Sequence, residues 1–342
     1  MRLSIDLTGA WHRLVAGGAL KNRFTDASGR GIEAGVRMGP SGPESYAIWL
    51  DTGAPACEDP GLVRLPSGME ILYNPVARLK PHKPPSAPGR QSDIPAESQA
   101  CPLACQAPEN PLSILRRSSL AEIPCPHRHW RAYPNVAPWE PRGIVIWVPC
   151  PDDGTVRTLP HVPQILTYRD LEDFLSIARS TAGMATFFNS LHGGASANHL
   201  HFQGVFCDRK LAAESADRTA SGPYTLLAQY PASGLVFPLD TAPASLWEPL
   251  ERIQAAGYPF NLIALSTAVF LFVRNPQNEV LREFPGRAFG AINLVGLFIT
   301  SDAAERRHVS QETIASAYAQ LTIGGEALLG LLNQAATEAV TD

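Results

Sequence analysis

The chain has few cysteines, little charge and no long apolar run, and each shortage excludes a class of protein. Its 342 residues include six cysteines, too few for a disulfide scaffold, so we expect free thiols in a reducing compartment. The longest apolar run, residues 262–273, is too short to span a bilayer, and the N-terminal residues lack the pattern of a secretory signal. We therefore expect a cytoplasmic protein with no membrane partner.

The charge balance also argues against general nucleic-acid binding. Lysine and arginine number 28 against 32 acidic residues, which gives a formal net charge of −4. Proteins that bind nucleic acid without a local pocket usually show a strongly basic surface. No nucleic-acid partner is expected, and any anion site must be local. The hydrophobic content of 45% is typical of a globular protein with one large or two ordinary domains.

The most informative stretch is residues 187–203, FFNSLHGGASANHLHFQ, which ends in an alternation of polar and apolar side chains. On a β-strand, successive side chains point to opposite faces. The alternation therefore predicts one face with His199, His201 and Gln203, and another with Leu200 and Phe202. The polar face would be available to a ligand while the apolar face packs into a core.

A turn of small residues, Gly193, Gly194, Ala195 and Ser196, comes just before this strand. Such a turn lets backbone N–H groups approach phosphate oxygens closely. A neutral imidazole is a competent nucleophile near pH 7 without a separate base. A histidine beside an anion-binding turn therefore indicates covalent catalysis. The alternative is an edge strand whose histidines have no chemical role.

This segment resembles the active-site signature of the histidine triad superfamily, in its galactose-1-phosphate uridylyltransferase and nucleotide phosphorylase branch. The signature is His-x-His-x-Gln after a glycine-rich, serine-containing loop. Asn189, the Gly-Ala-Ser at 194–196 and the run HLHFQ are most similar to diadenosine tetraphosphate and GDP-galactose phosphorylases. The resemblance implies an α+β fold with two histidine-triad-like halves around an antiparallel sheet, preceded by a family-specific N-terminal region.

The resemblance also implies roles for individual residues. His201 is the expected nucleophile, and His199 orients the strand or binds a metal. Ser196 and the backbone of Gly193–Ala195 are expected to bind phosphoryl oxygens. Further expected nucleotide-site residues are Asn189, Asn198, His161 and Arg274. Asn189 would bind a ribose hydroxyl or fix the loop, and His161 would reach the site or be structural. Arg274 would be a phosphate contact or an exposed residue at a strand end.

Gln203 favours transfer over hydrolysis. Hydrolases of the superfamily place a third histidine at this position, whereas an amide cannot donate a proton as a general acid. The predicted function is therefore a nucleotidyltransferase or phosphorylase acting on a nucleoside polyphosphate or sugar nucleotide, with phosphate or a sugar phosphate as acceptor. The alternatives are a hydrolase of dinucleotides or sugar nucleotides, and a non-catalytic nucleotide-binding protein.

No cofactor is expected for the chemistry itself, but a structural zinc ion is a candidate. Several members of the superfamily hold zinc through a Cys-x-x-Cys pair, a later histidine and the first histidine of the signature. Here Cys101 and Cys105 are separated by three residues, and residues 125–129, CPHRH, offer other ligands. The candidates are Cys101, Cys105 and His199, with buried thiols as the alternative.

The pattern along the chain predicts three regions. Residues 1–112 form N-terminal strands and a proline-rich loop, residues 113–240 the catalytic half, and residues 241–342 a degenerate second half. The predicted helices are 167–182, 245–256 and 310–321, and the predicted strands of the two halves are 130–135, 143–148, 184–189, 259–265, 269–274 and 286–299, with 208–222 as a polar surface excursion.

Capping signals support two of these helices. Thr167 with Asp170 predicts the start of the helix at 167, and Ser245 with Glu248 that of the helix at 245. The last predicted helix, with the apolar run 327–332, could belong either to a homodimer interface or to the core.

Overall fold

The computed structural model describes most of the chain, and most of the proline-rich loop lies outside the described residues. The described residues are 6–25, 29–56, 61–74, 101, 103, 105, 113–135, 139–150, 161–284 and 288–338.

The described residues of the N-terminal region form one helix and contribute to two small sheets. Helix α1 (Leu7–Ala16) packs against an antiparallel sheet of β1 (Lys21–Thr25), β2 (Gly31–Gly39) and β3 (Gly42–Trp49). Strands β4 (Gly61–Arg64) and β5 (Glu70–Tyr73) form an antiparallel pair, and β5 also pairs in parallel with β16 (Leu297–Thr300). The N-terminal region is thus joined to the C-terminal part of the chain.

The main feature of the fold is a sheet of ten antiparallel strands. From one edge to the other these are β11 (Asp217–Ser221), β12 (Tyr224–Ala228), β13 (Leu235–Pro238), β15 (Ala268–Val273), β14 (Phe260–Ala264), β9 (Met184–Asn189), β10 (Phe202–Phe206), β8 (Ile144–Cys150), β7 (His129–Pro134) and β6 (Ala121–Pro124). Helices α2 (Tyr168–Ser180) and α4 (Pro243–Ala255) precede β9 and β14, and the remaining helices are α3 (Ala212–Ser215), α5 (Ala291–Leu294), α6 (Ala303–His308), α7 (Gln311–Leu321) and α8 (Gly325–Glu338).

The strand order repeats from the centre outwards. It reads β9-β10-β8-β7-β6 in one direction and β14-β15-β13-β12-β11 in the other, with a helix before the first strand of each set. The predicted α+β fold, with two halves around an antiparallel sheet, is confirmed. The second set of strands begins with β11 at Asp217. The domain boundary at residue 240 remains a prediction from the sequence.

Both faces of the central strands are buried, which explains their continuous apolar sequences. Along β9, Met184 and Phe188 face a core formed with α2, α4 and α8, while Ala185 and Phe187 face the opposite core. That second core includes α5, α7 and the strands β5 and β16. The central position of β9 and β10 gives the neighbouring histidine segment a rigid base.

Local signals predicted several elements correctly. Thr167 caps α2 through the backbone of Asp170, and the Asp170 side chain returns the contact in a full capping box. The predicted strand 184–189 coincides with β9, and α7 begins after its cap Ser310. Capping of this type stabilises a helix by about 1 kcal/mol.

Three predicted elements differ from the structure. Helix α4 starts at Pro243 without a side-chain cap, so the capping box at Ser245 is wrong. Residues 208–222 contain α3 and the strand β11, whose polar sequence reflects its exposed position at the sheet edge. The predicted strand 286–299 is wrong over most of its length: its described residues contain the short helix α5, capped by Gly290, followed by the first three residues of β16.

The C-terminal helices bury their apolar side chains within the chain. Tyr318 and Leu321 of α7 and Leu328 and Leu332 of α8 are completely buried. They therefore belong to the core, and the homodimer remains a prediction. Within the described part of the chain, no helix has the length and apolarity to cross a bilayer.

Candidate active site

The histidine segment lies between β9 and β10 and is held by a second segment. Strand β10 begins at Phe202, so the predicted strand 199–203 starts three residues later than expected. The reason is the backbone pairing: the Leu200 N–H donates to the Val162 carbonyl at 2.6 Å, and the His201 N–H donates to the Gln164 side chain at 2.9 Å. Residues 161–164, which we call the strap, therefore replace the sheet as their partner.

The alternation of side chains nevertheless separates the apolar residues from the polar ones. Leu200 and Phe202 are completely buried in the core that contains α2, where the Phe202 ring stacks on Trp130 at a centroid distance of 4.3 Å. His199, His201 and Gln203 are also buried, at 0%, 4% and 8% exposure. Strand β10 lies between β8 and β9, so it is not at an edge of the sheet.

His201 is held in one tautomer by a backbone contact. Its Nδ1 lies 2.7 Å from the carbonyl oxygen of His199. A carbonyl oxygen can only accept, so Nδ1 carries the proton and Nε2 carries the lone pair. In the neutral ring, the lone pair of His201 is therefore on Nε2.

Gln203 follows His201 by two residues, on the same side of the chain. It pairs in register with Ile146 of β8 and Phe187 of β9, which fixes its backbone at the centre of the sheet. Its amide can donate a hydrogen bond but cannot supply a proton.

The glycine loop is held by hydrogen bonds between its own backbone groups. The N–H groups of Gly193 and Ala195 both donate to the Ser190 carbonyl, at 2.9 and 3.3 Å. Two of the three backbone donors expected to bind phosphate are therefore used within the loop. Gly194 has a positive φ of 101°, and a Cβ there would lie 2.6 Å from the Phe289 carbonyl oxygen. The chain can pass this close to residues 289–290 only with glycine.

A buried polar layer supports the loop from below. Asn261, on β14, donates to the Asn189 side-chain oxygen at 2.7 Å and to the Gly193 carbonyl at 2.6 Å. The Asn189 oxygen also accepts from the Ala291 N–H at 2.8 Å. Of the two roles predicted for Asn189, these contacts provide the one that fixes the loop.

Arg274 belongs to the same layer and is completely buried. It donates to the Asn261 side-chain oxygen at 3.0 Å, and the carbonyls that accept from it are those of Leu321, Gly193 and Phe289. Burial lowers the pKa of Arg274 to about 10, and the Glu279 carboxylate opposes that shift. Arg274 is thus a buried cation beneath the loop, in contrast to the exposed strand-end arginine considered as the alternative.

The other two loop residues predicted for the site differ in exposure. The Ser196 side chain is exposed beside the loop. Asn198 is partly buried, and its side-chain oxygen accepts from the Gln164 N–H at 3.0 Å. Ser196 is therefore accessible to a ligand, whereas Asn198 also holds the strap.

Two cysteines and two histidines form a compact cluster beside His201. The candidate ligand atoms of Cys101, Cys105, His161 and His199 all lie within 4.8 Å of one another. Cys101 Sγ lies 3.5 Å from His199 Nδ1, and Cys105 Sγ lies 3.6 Å from His161 Nδ1. The structure thus brings together the three predicted zinc candidates and places His161 as a fourth member.

The cluster fits a tetrahedral zinc ion. Zn–S bonds of about 2.3 Å and Zn–N bonds of about 2.05 Å separate each sulfur from each nitrogen by about 3.6 Å in a tetrahedron. Both sulfur–nitrogen distances agree with that value. Burial first, and then the neighbouring His201 and His161, lower the pKa of His199 to about 3, so its ring is neutral as a metal ligand requires.

The other predicted ligands are engaged elsewhere. His127 pairs with Glu172 at 2.5 Å, and His129 lies 3.2 Å from Glu122. The five described cysteines form no disulfide bonds.

Two supporting residues were not among the predicted site residues. Gln164 is completely buried against His201, and Asn261 is completely buried against Asn189. The available signal for Asn261 was a single amide within the apolar strand FNLIA, since buried amides need partners. The partner of Gln164 lies 37 residues away, so its contact with His201 is seen only in the tertiary structure.

Comparisons with known proteins bear on the fold. No protein-family model matches the sequence, and a search of curated proteins finds no match. Among solved structures, the yeast Ap4A phosphorylase Apa2 matches with a TM-score of 0.53 and 11% sequence identity, over 78% of this chain and 87% of that one. This chain shares the fold of that phosphorylase.

The same enzyme matches in two complexes. With AMP bound the TM-score is 0.53 at 12% identity, and with Ap4A bound it is 0.53 at 13% identity. Each match covers 78% of this chain, and 88% and 89% of the other. The fold implied by the resemblance of residues 187–203 is therefore the fold of a solved Ap4A phosphorylase.

Proposed function

We propose that the protein is a nucleotidyltransferase or phosphorylase that acts on a nucleoside polyphosphate or sugar nucleotide through a nucleotidyl-His201 intermediate. The observation that carries the proposal is the contact between His201 Nδ1 and the His199 carbonyl, because it leaves the lone pair on Nε2. The fold shared with an Ap4A phosphorylase supports the substrate class.

The reaction has two displacement steps. The Nε2 lone pair attacks the α-phosphorus, a P–N bond forms, and the bond to the leaving phosphate or sugar phosphate oxygen breaks. An oxygen of inorganic phosphate or a sugar phosphate then attacks the same phosphorus, and the P–N bond returns its electrons to Nε2. The proton stays on Nδ1 and is donated to the His199 carbonyl oxygen, which stabilises the positive charge on the ring during the intermediate.

The neighbouring residues stabilise the transferred group. Gln203 donates a hydrogen bond to a non-bridging oxygen but supplies no proton, which favours a phosphorylated acceptor over water. Because Gly193 and Ala195 donate to Ser190, the Gly194 N–H and the Ser196 hydroxyl are the loop groups assigned to the phosphate. Arg274 adds positive potential from beneath the loop.

The cluster of Cys101, Cys105, His161 and His199 is proposed to hold structural zinc. Four protein ligands complete a tetrahedral shell and leave no position for a reacting water, so the ion would stabilise structure only. Its part in the site is indirect, since His199 supplies the carbonyl that holds His201.

The test is covalent labelling. The protein is incubated with nucleoside triphosphates, dinucleoside polyphosphates and sugar nucleotides that carry ³²P at the α-position, and then quenched. We expect acid-labile, base-stable label on the wild type and on the control His308→Ala, a histidine at the end of α6, and none on His201→Ala. Added phosphate should discharge the label into a nucleoside diphosphate.

Other results would contradict the proposal. Label that persists on His201→Ala would place the nucleophile elsewhere. Label lost to water as fast as to phosphate would indicate a hydrolase. Nucleotide binding without label would indicate a non-catalytic binding protein.

A further inference from the structure

We infer that Gln164 is a positioning residue for His201. Its side chain is completely buried and makes three hydrogen bonds to the backbone around the nucleophile. Its oxygen accepts from the His201 N–H at 2.9 Å. Its nitrogen donates to the Asn189 carbonyl at 2.9 Å and to the His201 carbonyl at 3.3 Å.

The orientation of this amide follows from its partners. A backbone N–H can only donate and a carbonyl can only accept, so the oxygen must face the His201 N–H and the nitrogen must face the two carbonyls. One side chain therefore holds both backbone groups of His201. It also ties His201 to Asn189, the last residue of β9, at the opposite end of the glycine loop.

The strap holds Gln164 itself in place. The Gln164 N–H donates to the Asn198 side chain at 3.0 Å, and the Val162 carbonyl accepts from Leu200 at 2.6 Å. His161, at the start of the strap, belongs to the cysteine–histidine cluster. The strap is thus fixed at both ends, and the amide is presented to His201 by a rigid segment.

The physical consequence concerns the peptide that orients the nucleophile. The contact from His201 Nδ1 to the His199 carbonyl depends on the backbone torsions between the two residues. Outside the sheet, the His201 backbone has Gln164 as its partner, because the regular pairing of β10 with β8 starts at Phe202. Removing the amide frees these torsions and lets the ring leave the orientation in which Nε2 faces the substrate.

The experiment compares Gln164→Met, which keeps the volume but loses the hydrogen bonds, with Gln164→Glu, which keeps the acceptor for His201 and loses the donor. The matched control is Gln254→Met, a partly buried glutamine on α4 that donates to the Leu166 carbonyl outside the site. Long-range ¹H–¹⁵N spectra of histidine-labelled protein report the tautomer of His201, and ³²P labelling reports its reactivity.

In the wild type and the control we expect the His201 ring to carry its proton on Nδ1. In Gln164→Met we expect a mixed tautomer, and a fall of roughly 10- to 100-fold in the labelling rate and kcat with KM changed by less than about threefold. For Gln164→Glu we expect a tautomer mixture and a labelling rate between those of the wild type and of Gln164→Met. A purely structural residue would lower the folded fraction without changing the tautomer of the folded protein.

The kinetic half of this test rests on the proposed function, whereas the spectroscopic half does not. If the wild type takes no label, the proposed function fails and the tautomer still decides the role of Gln164. An unchanged His201 tautomer in Gln164→Met, or in Gln164→Glu if the first variant does not fold, would overturn the inference.

Discussion

The carbonyl oxygen of His199 lies 2.7 Å from Nδ1 of His201, while the His199 ring lies 3.5 Å from Cys101 Sγ. The His199 side chain therefore belongs to the cysteine–histidine cluster, while its carbonyl accepts a hydrogen bond from His201. A displacement of the cluster would therefore reach His201 through only two residues of backbone.

Replacing Gln203 by histidine should shift the products toward hydrolysis. A histidine can protonate a leaving group or activate water, and general acid–base assistance typically contributes a factor of about 10² or more. We expect the ratio of nucleoside monophosphate to phosphorolysis product to rise by roughly 10- to 100-fold in Gln203→His at fixed phosphate. Gln203→Asn is the control, because its amide likewise supplies no proton, and an equal rise in both variants would contradict the explanation.

The purified protein should contain about one zinc ion per chain. Cys101→Ser and Cys105→Ser should lose it, with a fall in Tm of roughly 5 °C or more, because structural zinc contributes directly to folding. Cys207→Ser is the control, a thiol at the opposite end of β10 that donates to the Arg209 carbonyl. Elemental analysis and the thiolate charge-transfer band of the cobalt-substituted protein provide the measurement. Retention of the metal in both cysteine variants would disprove the site.

Adding a methyl group at Gly194 should displace the loop. Gly194→Ala combines a φ of 101° with a Cβ only 2.6 Å from the Phe289 carbonyl oxygen. Gly183→Ala is the control, since it shares a positive φ of 73° but has no atom within 4 Å of the new Cβ. We expect about 1 kcal/mol of destabilisation at Gly183 and about 2–4 kcal/mol at Gly194, with nucleotide affinity reduced only at Gly194. Equal effects on urea unfolding and on binding at the two positions would argue against close contact at residue 289.

Arg274→Met should be strongly destabilising. Methionine fills much of the space but removes the guanidinium donor from the Gly193, Phe289 and Leu321 carbonyls. Of these, the Gly193 carbonyl keeps the Asn261 side chain as a donor and the Leu321 carbonyl keeps the Asn275 N–H. We expect a loss of about 2–5 kcal/mol in the free energy of unfolding, measured with urea. Arg179→Met, which removes an exposed arginine from the Leu239 and Thr241 carbonyls, should cost less than about 1 kcal/mol. A small effect at Arg274 would mean that water replaces the guanidinium.

Sequence signals predicted the elements whose causes are local. The capping box at Thr167, the apolar run of β9 and the His-x-His-x-Gln signature all depend on residues within a few positions of one another. The same signals did not predict β11, because it is an exposed edge strand whose polar sequence resembles that of a loop. The start of β10 was also misplaced, since Gln164 and Val162 take over the backbone groups of residues 200–201.

The sequence predicts His201 as the nucleophile and Gln203 as the amide that replaces a proton donor, and it predicts the two-half α+β fold, which is confirmed. The residues that support these site residues were found only in the tertiary structure. His161 meets Cys105 across 56 residues, His199 meets Cys101 across 98, and Asn261 meets Asn189 across 72. The physical reason is that local periodicity and capping specify single helices and strands, whereas contacts between distant residues depend on how those elements pack against one another.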